Sequence, residues 1–374
     1  MPEKKQIQIA KLFGIRIFID FSWIFIFLLV FWSFSSAVLP SIYPGQSFVS
    51  YLISGIVLSL LFFASIVAHE LSHTIVARRN GVMINRITLF FFGGASNLED
   101  EPPSAWVEIK MAAAGPLSSL IIGVILMYST IYFLNRGQES LLLYSLYALG
   151  VVNISLGIFN LLPGFPMDGG RILRGIIWSI NKNLARSTKL ASIVGQIIAG
   201  LIITYGAFIL IFQGNFFSGL WLVLIGFFLF RAAAGSYSQT LMIMILRKTK
   251  VKEIAQKRSE SIFDDATFST LYEHSNNLRQ EIFPVVDHGD DIIGFISPLV
   301  LSRVPESEWS ETRVIDFTKD FSEFPRIDEE ESALKLLSLF STGPELAVTE
   351  KAGNITGFVT LPDLQRYLSL RVRV

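Results

Sequence analysis

The sequence predicts a polytopic α-helical membrane domain, with about six transmembrane helices and a short membrane-surface β segment, followed by a cytoplasmic α/β domain. Three observations predict it. Of the 374 residues, 51% are hydrophobic and only 17% charged, against about 25% charged in soluble domains. Six apolar stretches before residue 250 are long enough to cross a bilayer, which takes about 20 residues of helix. The net charge of zero also hides two regions: residues 1–250 carry 18 Lys and Arg against 9 Asp and Glu, and residues 251–374 carry 13 against 22. The division is therefore a membrane domain over 1–246 and a soluble domain over 251–374.

The six stretches fall at about 18–38, 52–77, 107–134, 141–162, 190–212 and 217–236. The first has no small-residue cleavage site behind it and reads as a retained span rather than a removed signal peptide. Loop charges set the orientation, because Lys and Arg gather on the cytoplasmic side. Lys4, Lys5, Lys11 and Arg16 precede the first span. Arg78, Arg79 and Arg86 follow the second. Arg171, Arg174, Lys182, Arg186 and Lys189 follow the fourth, and Arg247, Lys248 and Lys250 follow the sixth. The loops at 39–50 and 213–216 have no charge, and 135–140 has only Arg136 and Glu139. Both termini are expected in the cytoplasm. The segment 81–104 is too polar to span. Its run Ile84–Phe92 alternates and is rich in Ile, Phe and Thr, the pattern of a β segment at the cytoplasmic surface; an amphipathic surface loop is the alternative.

The chain has no cysteine and four histidines, at 69, 73, 274 and 288. Any zinc site must therefore use His, Asp or Glu. Residues 69–73 read His-Glu-Leu-Ser-His. On a helix, His69 and His73 share one face and reach one cation, and Glu70 beside them is placed as a general base. Ionisable residues inside a membrane helix cost about 2.5–3.5 kcal/mol near the bilayer centre. The competing reading is a set of interfacial side chains snorkelling to water. Catalytic zinc takes three protein ligands. Topology and local polarity leave Asp20, Glu108 and Asp168 as candidates for the third. Asp168 lies in Asn160-Leu-Leu-Pro-Gly-Phe-Pro-Met-Asp168-Gly-Gly170, where prolines and glycines break the fourth span at the depth of the histidines. A broken helix is tolerated there when it lines a cavity, and the glycines are expected to let the backbone approach the metal. An ordinary turn accounts for this segment as well on spacing alone.

Together, the histidine motif and the Asn160–Gly170 segment resemble the paired motifs of the site-2 protease family of intramembrane zinc metalloproteases. The resemblance covers about residues 10–240. It implies that His69, His73 and Asp168 bind one Zn2+, that Glu70 activates water, and that Asn160 orients substrate or stabilises the oxyanion. Gly93-Gly94 and Ala114-Gly115-Pro116 also resemble family elements, with less specificity because small residues serve plain helix packing.

In the acidic tail, Phe283–Ser297 and Glu345–Thr360 repeat one pattern with a spacing of 63 residues: an apolar strand, a polar turn, then a strand opening on Gly-Phe. A helical stretch precedes each, at about 266–278 and 331–341. The repeat resembles a tandem pair of CBS domains, over about 251–305 and 312–374. The resemblance implies that an adenine nucleotide is held by a Thr or Ser and an Asp three residues on. Thr360 and Asp363 fit that pattern. The first repeat has Ser297 but Val300 in place of the Asp, so one ordinary nucleotide site is implied at most. A homodimer through the CBS domains with no ligand is the alternative role. His274 and His288 read as surface residues.

The expected function is an intramembrane zinc endopeptidase, in the cell membrane of a prokaryote, that cleaves transmembrane segments of membrane proteins under the control of its tail. Its partners are then the lipid bilayer and transmembrane protein substrates, with no nucleic acid. The β segment is expected to pair with an unwound substrate strand, and the acidic tail to dock on the basic cytoplasmic face. A CBS-regulated channel or transporter is the competing class, but it has no use for a glutamate beside a histidine pair.

Overall fold

The computed structural model describes residues 6–90, 93–96, 102–256, 261–278, 282–289, 291–341, 343, 346–351 and 353–371. Lys4, Lys5, Phe91, Phe92, Asp290 and Glu345, which fall within the sequence reading above, lie outside these. The chain forms two compact units, Pro2–Tyr237 and Ser238–Val374.

The first unit opens with a hairpin of strands β1 (Gln6–Leu12) and β2 (Ile15–Asp20). Its turn places Phe13 and Gly14 at φ 50° and 77°, the doubly positive arrangement that matches strand twist in a two-residue hairpin. Helix α1 (Trp23–Ser33) runs through a π turn into α2 (Leu39–Ile42), and α3 spans Phe48–Arg79. Strands β3 (Arg86–Phe90) and β4 (Gly93–Ser96) follow. The four strands form one sheet in the order β1-β2-β3-β4, with β2 and β3 parallel. The expected β segment is thus real, but β3 has neighbours on both sides, so the sheet edges are β1 and β4. The hairpin at 6–20 is masked in the sequence because the apolar alternation of Ile15, Ile17 and Ile19 runs into the first span, which begins at Trp23 rather than near 18.

Helices α4 (Ala105–Leu134), α5 (Leu141–Asn160), α6 (Asp168–Asn181), α7 (Leu184–Phe212) and α8 (Phe216–Lys248) complete the helical set. Ser47, Ser104, Ser140 and Asn183 start α3, α4, α5 and α7, each side chain accepting a backbone N–H three residues on, which satisfies donors a helix start leaves free. Arg78 and Arg79 close α3, where the helix dipole favours cations. Among the described residues, six stretches are long and apolar enough to cross a membrane: Trp23–Ile42, Phe48–Arg79, Ala105–Leu134, Leu141–Asn160, Leu184–Phe212 and Phe216–Lys248. The protein is a multi-pass membrane protein, and the exposed Ile121, Val124, Ile125 and Phe217 on these helices suit a lipid environment. Between helices, contact runs through small residues. A Cβ on Gly123 of α4 would lie 2.8 Å from the Gly150 carbonyl of α5, the close approach that membrane helix pairs favour.

The second unit holds two lobes of one topology. In the first, β5 (Ile262–Phe263) pairs in parallel with β6 (Phe283–Val286) across helix α9 (Phe268–Leu278). β6 turns back antiparallel onto β7 (Ile292–Ile296), with β8 (Lys319–Asp320) beyond. In the second, β9 (Arg326–Asp328) pairs in parallel with β10 (Leu346–Lys351) across α10 (Leu334–Ser341). β10 turns back onto β11 (Asn354–Thr360), and α11 (Leu361–Arg371) ends the chain. The 63-residue repeat is therefore structural. Val286, Ile292 and Phe295 pack against Leu346, Val348 and Phe358 to join the lobes. Leu246, near the end of α8, is buried with Val251, Leu336 and Leu364 in the core of the second lobe.

Candidate metal centre

His69 and His73 lie one turn apart on α3, with ring centroids 4.8 Å apart. Both Nε2 atoms are 3.1 Å from a single oxygen, Oδ2 of Asp168. Asp168 reaches them because α5 stops at Asn160, the chain reverses over residues 161–167, and α6 restarts at Asp168 itself. The side chains are 5%, 8% and 15% exposed, so the group is largely buried, with Asp168 its most accessible member.

The outer nitrogens are held as well. His73 Nδ1 donates to the Met111 carbonyl at 2.6 Å, and His69 Nδ1 lies 2.9 Å from Ser119 Oγ. A carbonyl only accepts, so neutral His73 keeps its proton on Nδ1 and turns a lone pair at Nε2 toward the Asp168 carboxylate. Two such groups at 3.1 Å repel unless a cation or an extra proton lies between them. Glu70, half-buried, has His73, His69, Asp168 and Arg171 as its charged neighbours.

A model of peptidase family M50 matches residues 57–140 and 135–205. A Synechocystis protein named "Putative zinc metalloprotease sll0528" is 30% identical, over 94% of this chain and 93% of its own length. The chain belongs to peptidase family M50. Among solved structures, the site-2 protease from Methanocaldococcus jannaschii is 33% identical and covers 62% of this chain and 95% of its own, with a TM-score of 0.43. The CBS domain of the bacterial CNNM/CorC family Mg2+ transporter, in complex with ATP, is 25% identical and covers 35% of this chain and 95% of its own, with a TM-score of 0.31.

This M50 peptidase is thus a zinc metalloprotease, and the His69, His73 and Asp168 cluster fits zinc on two counts. Bonds of about 2.0–2.1 Å at tetrahedral angles separate ligand atoms by about 3.3 Å, close to the spacing seen. The charges also call for a cation: neutral His73 turns its Nε2 lone pair toward the Asp168 carboxylate 3.1 Å away, and the missing side chain at Gly115 of α4, whose Cβ would lie 2.1 Å from His73 Nε2 and 2.5 Å from His69 Nε2, lets both rings stand there.

Of the other third-ligand candidates, Glu108 is fully buried against Arg174, and Asp20 Oδ1 accepts the Ser22 N–H at 3.0 Å. Asn160 is half-buried at the end of α5, where its Nδ2 donates to the Leu156 carbonyl at 3.0 Å. A Cβ on Gly169 or Gly170 would lie 2.3 Å from the backbone of residues 161–165, so they let the turn fold on itself. Sequence reasoning missed Met111 and Ser119. In the sequence Gly115 stands out only as a family element, and its step of four to Ser119 on α4 is the available signal.

In the tail of this peptidase, Thr360 and Asp363 form a reciprocal cap at the start of α11. Thr360 N and Oγ1 donate to Asp363 Oδ2 at 2.9 and 2.5 Å, and Asp363 N donates to Thr360 Oγ1 at 3.3 Å, a capping-box geometry. Asp363 Oδ1 accepts from Gln256 Nε2 at 2.5 Å. In the first lobe, Ser297 begins only a short 3-10 turn, Pro298–Arg303. Of the two remaining histidines, His274 Nδ1 lies 2.9 Å from the Thr270 carbonyl, and His288 lies 3.7 Å from Asp265 with both side chains well over half exposed.

Proposed function

We propose that this intramembrane protease holds one zinc ion with His69, His73 and Asp168 and cuts peptide bonds in transmembrane segments of membrane proteins, with Glu70 as its general base. The observation that carries the reading is the convergence of both Nε2 atoms on Asp168 Oδ2 at 3.1 Å across 95 and 99 residues of sequence. Zinc bound there supplies Lewis acidity toward the scissile carbonyl and lowers the pKa of water. Glu70 accepts the proton of the attacking water as the C–O bond forms, then delivers it to the departing amine as the C–N bond breaks. Asn160 stands just before the turn at 161–167 that leads into Asp168, and it orients the substrate. The sheet edge offers backbone N–H and C=O groups to an unwound substrate strand, which places that role on β4 or β1 rather than on the interior β3.

Both termini face the cytoplasm in this reading, since every cluster of Lys and Arg falls on one side. The tail is a CBS pair that responds to an adenine nucleotide at Thr360 and Asp363 and regulates cleavage, and a homodimer forms through it. The test of the central reading is Glu70→Gln in the full-length protein. It is expected to keep zinc and lose cleavage of a model transmembrane substrate. Cleavage at the wild-type rate by this variant would overturn the assignment.

A further inference from the structure

Helix α4 carries none of the three candidate ligands, yet one stripe of its surface serves all of them. Glu108, Met111, Gly115 and Ser119 follow one another at steps of three, four and four residues, the spacing that keeps positions on one helix face. Met111 holds His73, Ser119 holds His69, and Gly115 leaves room beside both Nε2 atoms. Glu108, at the start of the stripe, faces α6.

Glu108 is 0% exposed, and a buried carboxylate is retained only when paired. Its Oε1 accepts from Arg174 Nε at 2.6 Å and also from Arg174 Nη2, with Arg171 Nε 4.0 Å away. Its Oε2 has no hydrogen-bond partner among the described residues. Arg171 and Arg174 stand three and six residues after Asp168 on α6. Beside Arg174, a Cβ on Gly175 would lie 2.6 Å from Ile109 Cγ1 and 3.1 Å from the Ala105 carbonyl, so the two helices touch at this point. Turning α6 by one residue would swing Asp168 through about 100°, whereas a metal ligand must sit within about 0.2 Å of its bonding distance. The turn at 161–167 leads into Asp168 from its other side, and further along α6 Leu173 packs with Ala191 of α7 and Ala233 of α8.

We propose that Glu108 and Arg174 are positioning residues: their ion pair fixes the rotation of α6 on α4 and thereby sets Asp168 against His69 and His73. A buried pair of this kind contributes registry more than net stability. The proposal rests on the reading of His69, His73 and Asp168 as the zinc ligands.

The test uses full-length protein in detergent. Zinc affinity is read by competition with a chromophoric chelator, and the thermal midpoint of the zinc-free form is read alongside. Glu108→Gln is expected to weaken zinc binding about tenfold or more, within the range for residues that orient ligands, with the zinc-free midpoint little changed. Arg174→Lys keeps a charge opposite Glu108 but loses the two-pronged grip of the guanidinium; it is expected to fold and to bind zinc several-fold more weakly. Ser192→Ala, which removes the 2.6 Å bond from Ser192 Oγ to the Ala233 carbonyl, serves as a stability control and is expected to bind zinc as the wild type does. Wild-type zinc affinity in folded Glu108→Gln and Arg174→Lys overturns the proposal, as does a loss that only tracks unfolding. Should Glu108→Gln fail to fold, Arg174→Lys decides alone. The readout does not involve cleavage, so it stands apart from failure of the Glu70 assignment. A His73→Ala variant that kept wild-type zinc affinity would show instead that the ligand assignment is at fault.

Discussion

Ser119 Oγ lies 2.9 Å from His69 Nδ1, across 50 residues of sequence. With Nε2 turned toward Asp168, Nδ1 carries the proton and donates to the hydroxyl. That bond fixes both the tautomer and the ring plane. Removing such an outer partner typically weakens metal binding by about 10–100-fold. Ser119→Ala is therefore expected to leave the helical fold intact and to raise the zinc dissociation constant at least about tenfold. Activity should return at high zinc, and a titration of activity against free zinc checks both points.

Gly115→Ala makes a stronger test of where the ion sits. The added methyl would lie 2.1 Å from His73 Nε2 and 2.5 Å from His69 Nε2, far inside van der Waals contact, so both rings must move and their Nε2 atoms no longer converge with Asp168. Alanine is a better helix former than glycine by about 1 kcal/mol, so α4 itself is not expected to suffer. The expected outcome is a folded protein with almost no bound zinc and no activity at any zinc concentration, read by metal analysis of the purified protein. A fully zinc-loaded Gly115→Ala enzyme would place the ion elsewhere.

The legibility of this site in the sequence was uneven for a physical reason. His69, Glu70 and His73 form a local pattern, and a helix of known pitch turns four-residue spacing into proximity. Asp168 required a second pattern, because no local rule predicts a contact across 95 residues; the proline- and glycine-rich break marked a reversal but did not say what it faced. Met111 contributes through a backbone carbonyl, and Ser119 and Gly115 are residue types that serve ordinary helix packing, so nothing in their identity announces a role. The β1–β2 hairpin was hidden for a different reason. Alternating isoleucines next to a span merge with its hydropathy, and a window sized for helices absorbs them. The tail was easier, because its repeat gives two readings of one strand–turn–strand pattern.

Orientation is open to a direct experiment, since the chain contains no cysteine. Single cysteines therefore report their own position without background. Gln138→Cys, exposed in the loop between α4 and α5, is expected to react in intact cells with a membrane-impermeant maleimide. Arg186→Cys, exposed near the start of α7, is expected to react only after permeabilisation. The reverse pattern would invert the topology.

Lys250 and Lys252 place their ammonium groups 2.6 and 2.5 Å from the two oxygens of Glu330. These hydrogen bonds pull the Glu330 carboxyl from its ordinary value of 4.5 down to about 2. A pKa lowered by folding means that the interaction is fully present above about pH 4.5 and is lost as pH falls through about 2. The groups are exposed, so salt should weaken the effect. A carboxyl NMR titration is expected to give a Glu330 midpoint near 2 at low salt. Replacing both Lys250 and Lys252 with alanine should return it toward 4.5.

Asp363 has both carboxylate oxygens committed before any ligand arrives: Oδ2 to Thr360 in the cap of α11, and Oδ1 to Gln256. A nucleotide hydroxyl that uses Asp363 must therefore displace Gln256 or share its oxygen. Gln256 is also tied by its backbone to Phe358 of β11, through bonds of 2.9 and 3.2 Å, and lies eight residues past the end of α8. The side chain can leave without the strand contact breaking. Gln256→Ala is accordingly expected to tighten ATP binding several-fold, because the competing donor is gone. Asp363→Ala is expected to abolish binding. The stoichiometry should not exceed one nucleotide per chain, since the first lobe has Val300 where an acid is needed. Calorimetry on the full-length protein checks all three. Equal affinity in the wild type and both variants would remove Asp363 from the site and leave its cap on α11 as its role.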